Sequence, residues 1–375
     1  MGEFTLYGSD VSHFTGKVHD YLKYKEVPFS YKLATRQVYE QILVPRTGVK
    51  YIPVLLLPDN RIIQDTSNIM DYIEQEFTRT SIYTKDNTLH FIGKLVECFA
   101  DEWMLLPSMH YRWNFPEYNN DFLFQSFGAT MLPDDPPQRQ VKAGKGFARF
   151  FSGARQPLGI YDRSIPIIEG QAVKFLHLLN CHFSEHDYFL GEEPTLADFS
   201  LMGPVFSHLS QDPYPKKLLE KNYPNIIAWI NRVHNAKNNV GLLFNASELP
   251  ATLTSIVSFI LSSLQSFLLE SLAVIEADLD ENKNNYTEEI PRVAGEMEFD
   301  LAGLKVKRKA FFYTQWMLVR LLEQYKKLTA DEKDTFFNTV GHNDYFNITL
   351  KYNLTRKAVL QEGEILPGGS TLLLN

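Results

Sequence analysis

The chain has 375 residues, 44% of them hydrophobic and 22% charged, with a net charge of −8. That length suits two domains, or two and an extension, and the acidic balance argues against nonspecific binding to nucleic acid or to an anionic membrane. Cys98 and Cys181 are the only cysteines, which excludes a disulfide framework, and the chain does not open on a basic region followed by an apolar segment, so the expected compartment is the cytoplasm.

Glu3 to Gly8 alternates around Phe4 and Leu6 and predicts a first strand, with Tyr7 near its end. The loop Ser9-Asp10-Val11-Ser12-His13-Phe14-Thr15 leads into a helix whose inner face carries Val18, Tyr21 and Leu22. Val27-Pro28 ends it, Phe29 to Leu33 alternates as a second strand, and a helix follows near Arg36 to Ile42. Next comes Ile52-Pro53-Val54-Leu55-Leu56-Leu57, where proline at the head of an apolar run belongs at the start of a strand or at a special turn. Pro58-Asp59-Asn60 is a turn, Arg61-Ile62-Ile63 a short return strand, and Asp65-Thr66-Ser67 offers side-chain oxygens ahead of a helix containing Ile69, Met70, Tyr72 and Ile73. The order βαβ, α, ββα is thioredoxin-like. Redox members of that fold carry Cys-x-x-Cys in the first loop; its absence removes thiol–disulfide exchange.

These residues resemble the glutathione-binding domain of the glutathione transferase superfamily, in its serine type. The resemblance implies that Pro53 is cis and that the backbone of Ile52 pairs with the cysteinyl part of glutathione. It further implies that Asp65 and Thr66 hold the γ-glutamyl group, with Ser67 an adjacent hydroxyl. Ser12 is then the first choice for the hydroxyl that meets the glutathione sulfur, with Tyr7 and Ser9 as competitors and His13 beside them. The physics agrees: a helix N-terminus binds a carboxylate and an Asp beside it takes an ammonium. A cation for the glycyl carboxylate is to be sought among Lys50, Arg46 and Arg36, with Gln37 also at hand.

Thr78 to Thr88 is polar and aperiodic and sets a boundary. The expected domains are 1–80, 88–245 and an extension over 250–375. From His90 to Leu106 apolar residues return at helical spacing. Tyr111, Arg112 and Trp113 form an aromatic patch that either lines a pocket for the electrophile or is core, with Arg112 paired to a carboxylate. Met131 to Gln138 is Pro-rich, and the glycines and cations from Lys142 to Arg155 read as a mobile insertion; no phosphate loop or metal-binding pattern is present. Ile167 to Phe183 is a helix, and Thr195 with Asp198 forms a capping box opening another. The superfamily carries a similar Pro-Thr-Leu-Ala-Asp motif as a folding element.

The resemblance covers about residues 3–240. Beyond it, Leu253 to Ile275 has apolar residues at spacings of three and four with Ser, Thr and Gln opposite, an amphipathic core helix rather than a membrane span. Glu296 to Lys307 alternates on both sides of Ala302-Gly303 as a hairpin, Phe311 to Leu322 is an aromatic helix, and one more short helix follows Asp331. Sequons at Asn245, Asn285, Asn347 and Asn353 read as chance without a secretory signal. The resemblance implies an enzyme of the detoxification kind that activates the glutathione thiolate for attack on a small electrophile, with a homodimer allowed. The alternative is a non-catalytic, metaxin-like binding or assembly protein using the same fold and the extension.

Overall fold

The computed structural model describes residues 3–238, 240–282 and 291–341, and the backbone of 358–360 and 372–374. Sequons Asn285, Asn347 and Asn353 lie outside the described residues. The N-terminal domain runs β1 (Phe4–Gly8), α1 (His13–Tyr24), β2 (Phe29–Leu33), α2 (Arg36–Val38), a π-helical stretch Tyr39–Leu43, α3 (Val44–Thr47), β3 (Val54–Leu56), β4 (Ile62–Gln64) and α4 (Thr66–Glu76). Its sheet has the order β2-β1-β3-β4, with β1 parallel to β2 and antiparallel to β3. Strand alternation sends Leu6 and Leu55 to one face, where Val18, Tyr21, Leu22, Ile69 and Ile73 cover them. Tyr7 and Val54 point to the other, beneath Tyr39 and Leu43. This is a thioredoxin-like fold.

A helical domain follows: α5 (Asn87–Cys98), a π-helical stretch Phe99–Trp103, α6 (Leu105–Trp113), α7 (Pro116–Met131), α8 (Pro137–Ser152), α9 (Ile165–Glu185), α10 (Leu196–Leu201) running into a π-helical Met202–Ser210, α11 (Pro213–Asn222) and α12 (Pro224–His234). The capping box of Thr195 and Asp198 is present, and buried Asp198 also accepts from the Phe189 N–H and from Trp229 Nε1, both at 2.9 Å. That makes it a folding element. The expected mobile insertion is instead a helical hairpin of α7 and α8. Glycine explains both the misreading and the structure: a Cβ on Gly144 would lie 1.9 Å from the Phe124 carbonyl oxygen, and one on Gly128 2.1 Å from that of Gln140. The two helices cross backbone to backbone, and only glycine permits it.

The extension is α13 (Ala251–Glu281), β5 (Val293–Leu301), β6 (Leu304–Phe311), α14 (Phe312–Tyr325) and α15 (Ala330–Val340), with β7 (Ala358–Leu360) paired to β8 (Leu372–Leu374). The β5–β6 turn is Ala302-Gly303, at φ 48° and 92°, the positive values a two-residue hairpin loop demands. α13 is long and apolar enough to cross a membrane, yet half of its most apolar stretch is buried, with Leu253, Ile260, Leu264 and Leu268 packed into the common core beside α9 and β5. α14 lies along α5, joining the extension to the first helix of the helical domain.

Candidate functional site

Two helix starts flank the Ile52–Pro53 turn, whose peptide is cis. At the first, Ser12 caps α1, its Oγ accepting from the Thr15 N–H at 3.3 Å. Capping uses a lone pair and leaves the Ser12 O–H free to donate. The competitors are otherwise engaged. Tyr7 is buried on the sheet face away from α1 and α4, packed with Ala34, Tyr39 and Ile62, and burial raises its phenol above the ordinary range. The Ser9 hydroxyl lies 3.2 Å from that of Thr130. His13 is buried against His208, and burial together with Lys17 and Arg112 lowers it to about 3. It is neutral at any working pH, far below the range in which a general base is effective.

At the second start Asp65 stands at φ 81°, ψ 135°, a strained conformation for a residue with a Cβ, and such outliers concentrate at functional sites. Its Oδ1 accepts from the N–H groups of Ser67 (2.8 Å) and Asn68 (3.2 Å). Beside it Thr66 is 1% exposed, and its hydroxyl has no partner among the described residues. Ile52 is half-buried and Lys50 exposed. Arg46 is tied to the carbonyl and side chain of Asn60 in the β3–β4 turn, while Arg36 and Gln37 are exposed.

Sequence reasoning missed what surrounds Asp65. Fully buried Lys17 on α1 contacts Glu97 Oε1 at 2.9 Å and Asp101 Oδ2 at 2.6 Å, and Ser67 donates to the same Glu97 oxygen at 2.7 Å. Lys94 adds a bond to Glu97 Oε2 at 3.1 Å. From the extension, Arg320 pairs with Asp71 at 2.6 Å, Thr314 donates to Glu102 at 2.6 Å, and the Tyr313 hydroxyl donates to Asp65 Oδ2 at 2.8 Å. Arg292, also in the extension, stacks over Tyr51, next to Ile52. Burial raises the Asp65 carboxyl, opposed by Lys17, Tyr313 and Arg320. Burial likewise lifts Asp101 to about 7, opposed by Lys17, whereas Lys17 and Lys94 overcome burial at Glu97 and hold it well below the carboxylate range. The signal that was available is four charged residues, Lys94, Glu97, Asp101 and Glu102, inside an otherwise apolar helical run.

The aromatic patch divides. Arg112 grips Asp212 through two bonds of 2.7 and 2.8 Å and donates to the carbonyls of Val11 (2.8 Å) and Ser207 (3.2 Å). Four of its five N–H groups are taken, so it is a core clamp that ties α6 to the Ser12 loop, not a pocket group. Tyr111 is 4% exposed and stacks with Phe115 and Tyr214. Trp113 lines a cleft with α7 and α8.

Residues 6–81 match the family model for the glutathione S-transferase N-terminal domain, and residues 156–238 match that for the glutathione S-transferase C-terminal domain. Residues 6–81 and 156–238 are thus the two domains of the glutathione S-transferase superfamily. Residues 82–155 and everything after 238 lie outside either match. Among solved structures the chain is similar to a glutathione S-transferase of Rhodospirillum rubrum (14% identity, 61% of this chain and 87% of that one, TM-score 0.40). It is also similar to one of Methylobacterium radiotolerans in complex with glutathione sulfonate (13%, 65% and 98%, 0.39). A third is an epsilon-class glutathione S-transferase of the housefly, Musca domestica (18%, 69% and 98%, 0.39). Likenesses at this level carry nothing about chemistry. No curated protein matches the chain.

Proposed function

We propose that the chain binds glutathione between the starts of α1 and α4 and activates its thiol for attack on a small electrophile. In this reading the Ser12 hydroxyl donates to the sulfur, the main chain of Ile52 beside Pro53 pairs with the cysteinyl unit, Thr66 takes the γ-glutamyl carboxylate and Asp65 its ammonium. Lys50 is the cation closest in sequence to that turn and free to meet the glycyl carboxylate. A cytoplasmic setting, where glutathione is kept reduced, fits the scarcity of cysteine.

The observation that carries the reading is the α4 start. A strained, capping Asp65 stands next to a buried Thr66 hydroxyl with no partner among the described residues, at a helix end that attracts anions. Ser12 supports it in energy. A thiol with a pKa of about 8.5 is only a few per cent ionised at neutral pH, and lowering that pKa by about one to two units takes roughly 1.4–2.7 kcal/mol. One hydroxyl donor with a helix N-terminus supplies an amount of this order.

Calorimetric titration of the full chain with glutathione tests the reading. Binding in the micromolar to millimolar range, weakened in Asp65→Asn and in Thr66→Val, is the expected result, and Ser12→Ala retains binding while losing about 10- to 100-fold in thiol transfer to a reactive aryl halide. No binding by the wild type at millimolar glutathione sinks it. A second reading has one specific observation behind it: Tyr313 already bonds the Asp65 oxygen that an ammonium would use. In that reading the extension fills the site and the fold serves as a binding or assembly module.

A further inference from the structure

A cleft of about 740 Å³ opens between the end of α6, the α7–α8 hairpin and the start of α9. Ser12, Ile52, Pro53, Asp65 and Thr66 do not line it, and it does not rest on the glutathione reading. Three cations do line it: Lys145, Arg149 and Arg155. Among the described residues none of the three has a carboxylate within ion-pairing distance, although other surface arginines, such as Arg61, Arg79 and Arg139, do. One carboxylate, Asp162, is in the lining, so the wall keeps an excess of positive charge in a chain whose net charge is −8. Lys145 and Arg149 stand one turn apart on the same side of α8. Arg155 is held by bonds to the Asn114 side chain and to the Ser152 carbonyl. The Lys145 ammonium is 5.5 Å from the centre of the Phe124 ring.

The wall is not only charged. Trp113 is 8% exposed, and its indole N–H is buried with no acceptor among the described residues. Phe124, Ile160 and Ile165 give the same cleft an apolar side. We infer that this cleft is a binding site for a small organic anion, a phosphate or carboxylate carrying an apolar group, with Lys145, Arg149 and Arg155 on the anion and the apolar wall, Trp113 included, against the rest.

The bland alternative is a solvated basic helix face, and it makes different predictions. Calorimetric titration of the full chain with phenyl phosphate, benzoate and uncharged phenol separates the two. At least one of the two anions is expected to bind and phenol not to, with affinity falling as salt rises, and whichever anion binds tighter tells phosphate from carboxylate. In Lys145→Ser/Arg149→Ser, whose changes are on an exposed helix surface, that affinity is expected to fall by about tenfold or more. Asp162→Asn, which removes the one carboxylate of the lining, is expected to strengthen it. Binding of neither anion at millimolar concentration overturns the inference, as does equal binding of phenol or an affinity indifferent to the double variant. So does competition by glutathione, which would place the anion in the other site.

Discussion

The junction around Lys17 and the cleft around Lys145 are both rich in charge, and they handle it in opposite ways. At the junction Lys17, Lys94 and Arg320 each have an anion. Lys17 meets Glu97 and Asp101, Lys94 meets Glu97, and Arg320 meets Asp71. The lining of the cleft holds three cations and one carboxylate, and among the described residues none of the three cations is ion-paired. Charge taken out of water survives only when paired and hydrogen-bonded, whereas a solvated cleft can leave cations waiting for a ligand. The junction is therefore a fastening that joins the thioredoxin-like domain, the helical domain and the extension, and its geometry sets where Asp65 stands.

Removing one charge from each region is the sharpest way to break that contrast. Lys17→Met strips buried Asp101 of its ion-pair partner and leaves Glu97 with Lys94, and breaking such a buried pair costs on the order of 3–5 kcal/mol. Urea unfolding should show the midpoint falling steeply. The Lys145→Ser/Arg149→Ser protein, by contrast, should unfold near the wild-type midpoint, since nothing buried loses a partner. Equal losses at both places would mean that the cleft cations hold structure.

A smaller effect follows from the proton that the junction holds. Burial lifts Asp101 to about 7 from an ordinary carboxyl value near 4. Between those values the folded protein binds more protons than the unfolded one, so this group's contribution to stability is present below about pH 4 and is lost as pH rises through about 7. Buried neutral histidines such as His13 act in the opposite sense at acid pH. The measurement is therefore a difference. Asp101→Asn, compared with wild type by thermal unfolding at pH 5 and pH 8, should gain relative stability at the higher pH. A difference that does not change with pH would mean that Asp101 stays ionised beside Lys17.

The contrast also separates what could be read from the sequence from what could not. Strand alternation, Pro53, the Asp65-Thr66 cap and the Thr195–Asp198 capping box are local patterns, and each appears in the structure where its spacing put it. Ser12 was legible for the same reason, as a hydroxyl just before a helix. The Lys17 cluster was not, because its partners lie 80 and 84 positions away and a lysine on an amphipathic helix reads as solvated. The α7–α8 hairpin was missed because glycine lowers helix propensity, and its role in close packing shows only when two helices meet. Tyr313 and Asp65 are 248 residues apart, and nothing near either one announces the other.

That last contact yields the smallest expected effect and the one that bears most directly on function. Asp65 Oδ1 is spent on two backbone N–H groups, so Oδ2 is the oxygen that a ligand ammonium would use, and the Tyr313 hydroxyl holds it at 2.8 Å. A hydrogen bond to a charged group is worth at most about 1.5–3 kcal/mol net. Both side chains are half-buried, and Oδ2 keeps a second lone pair that an incoming ammonium can share, so only part of that amount opposes the ligand. Tyr313→Phe should therefore tighten glutathione binding by about three- to tenfold while leaving the fold intact. If wild type binds nothing and the Phe variant binds, the extension is a built-in occupant of the γ-glutamyl position, and the assembly reading gains. Weaker binding in the variant would mean that the phenol oxygen accepts from the ammonium, which makes Tyr313 a ligand contact supplied by the extension. In either case the extension is part of the site, because it touches Asp65 through Tyr313 and stacks Arg292 over Tyr51 on the Ile52 side.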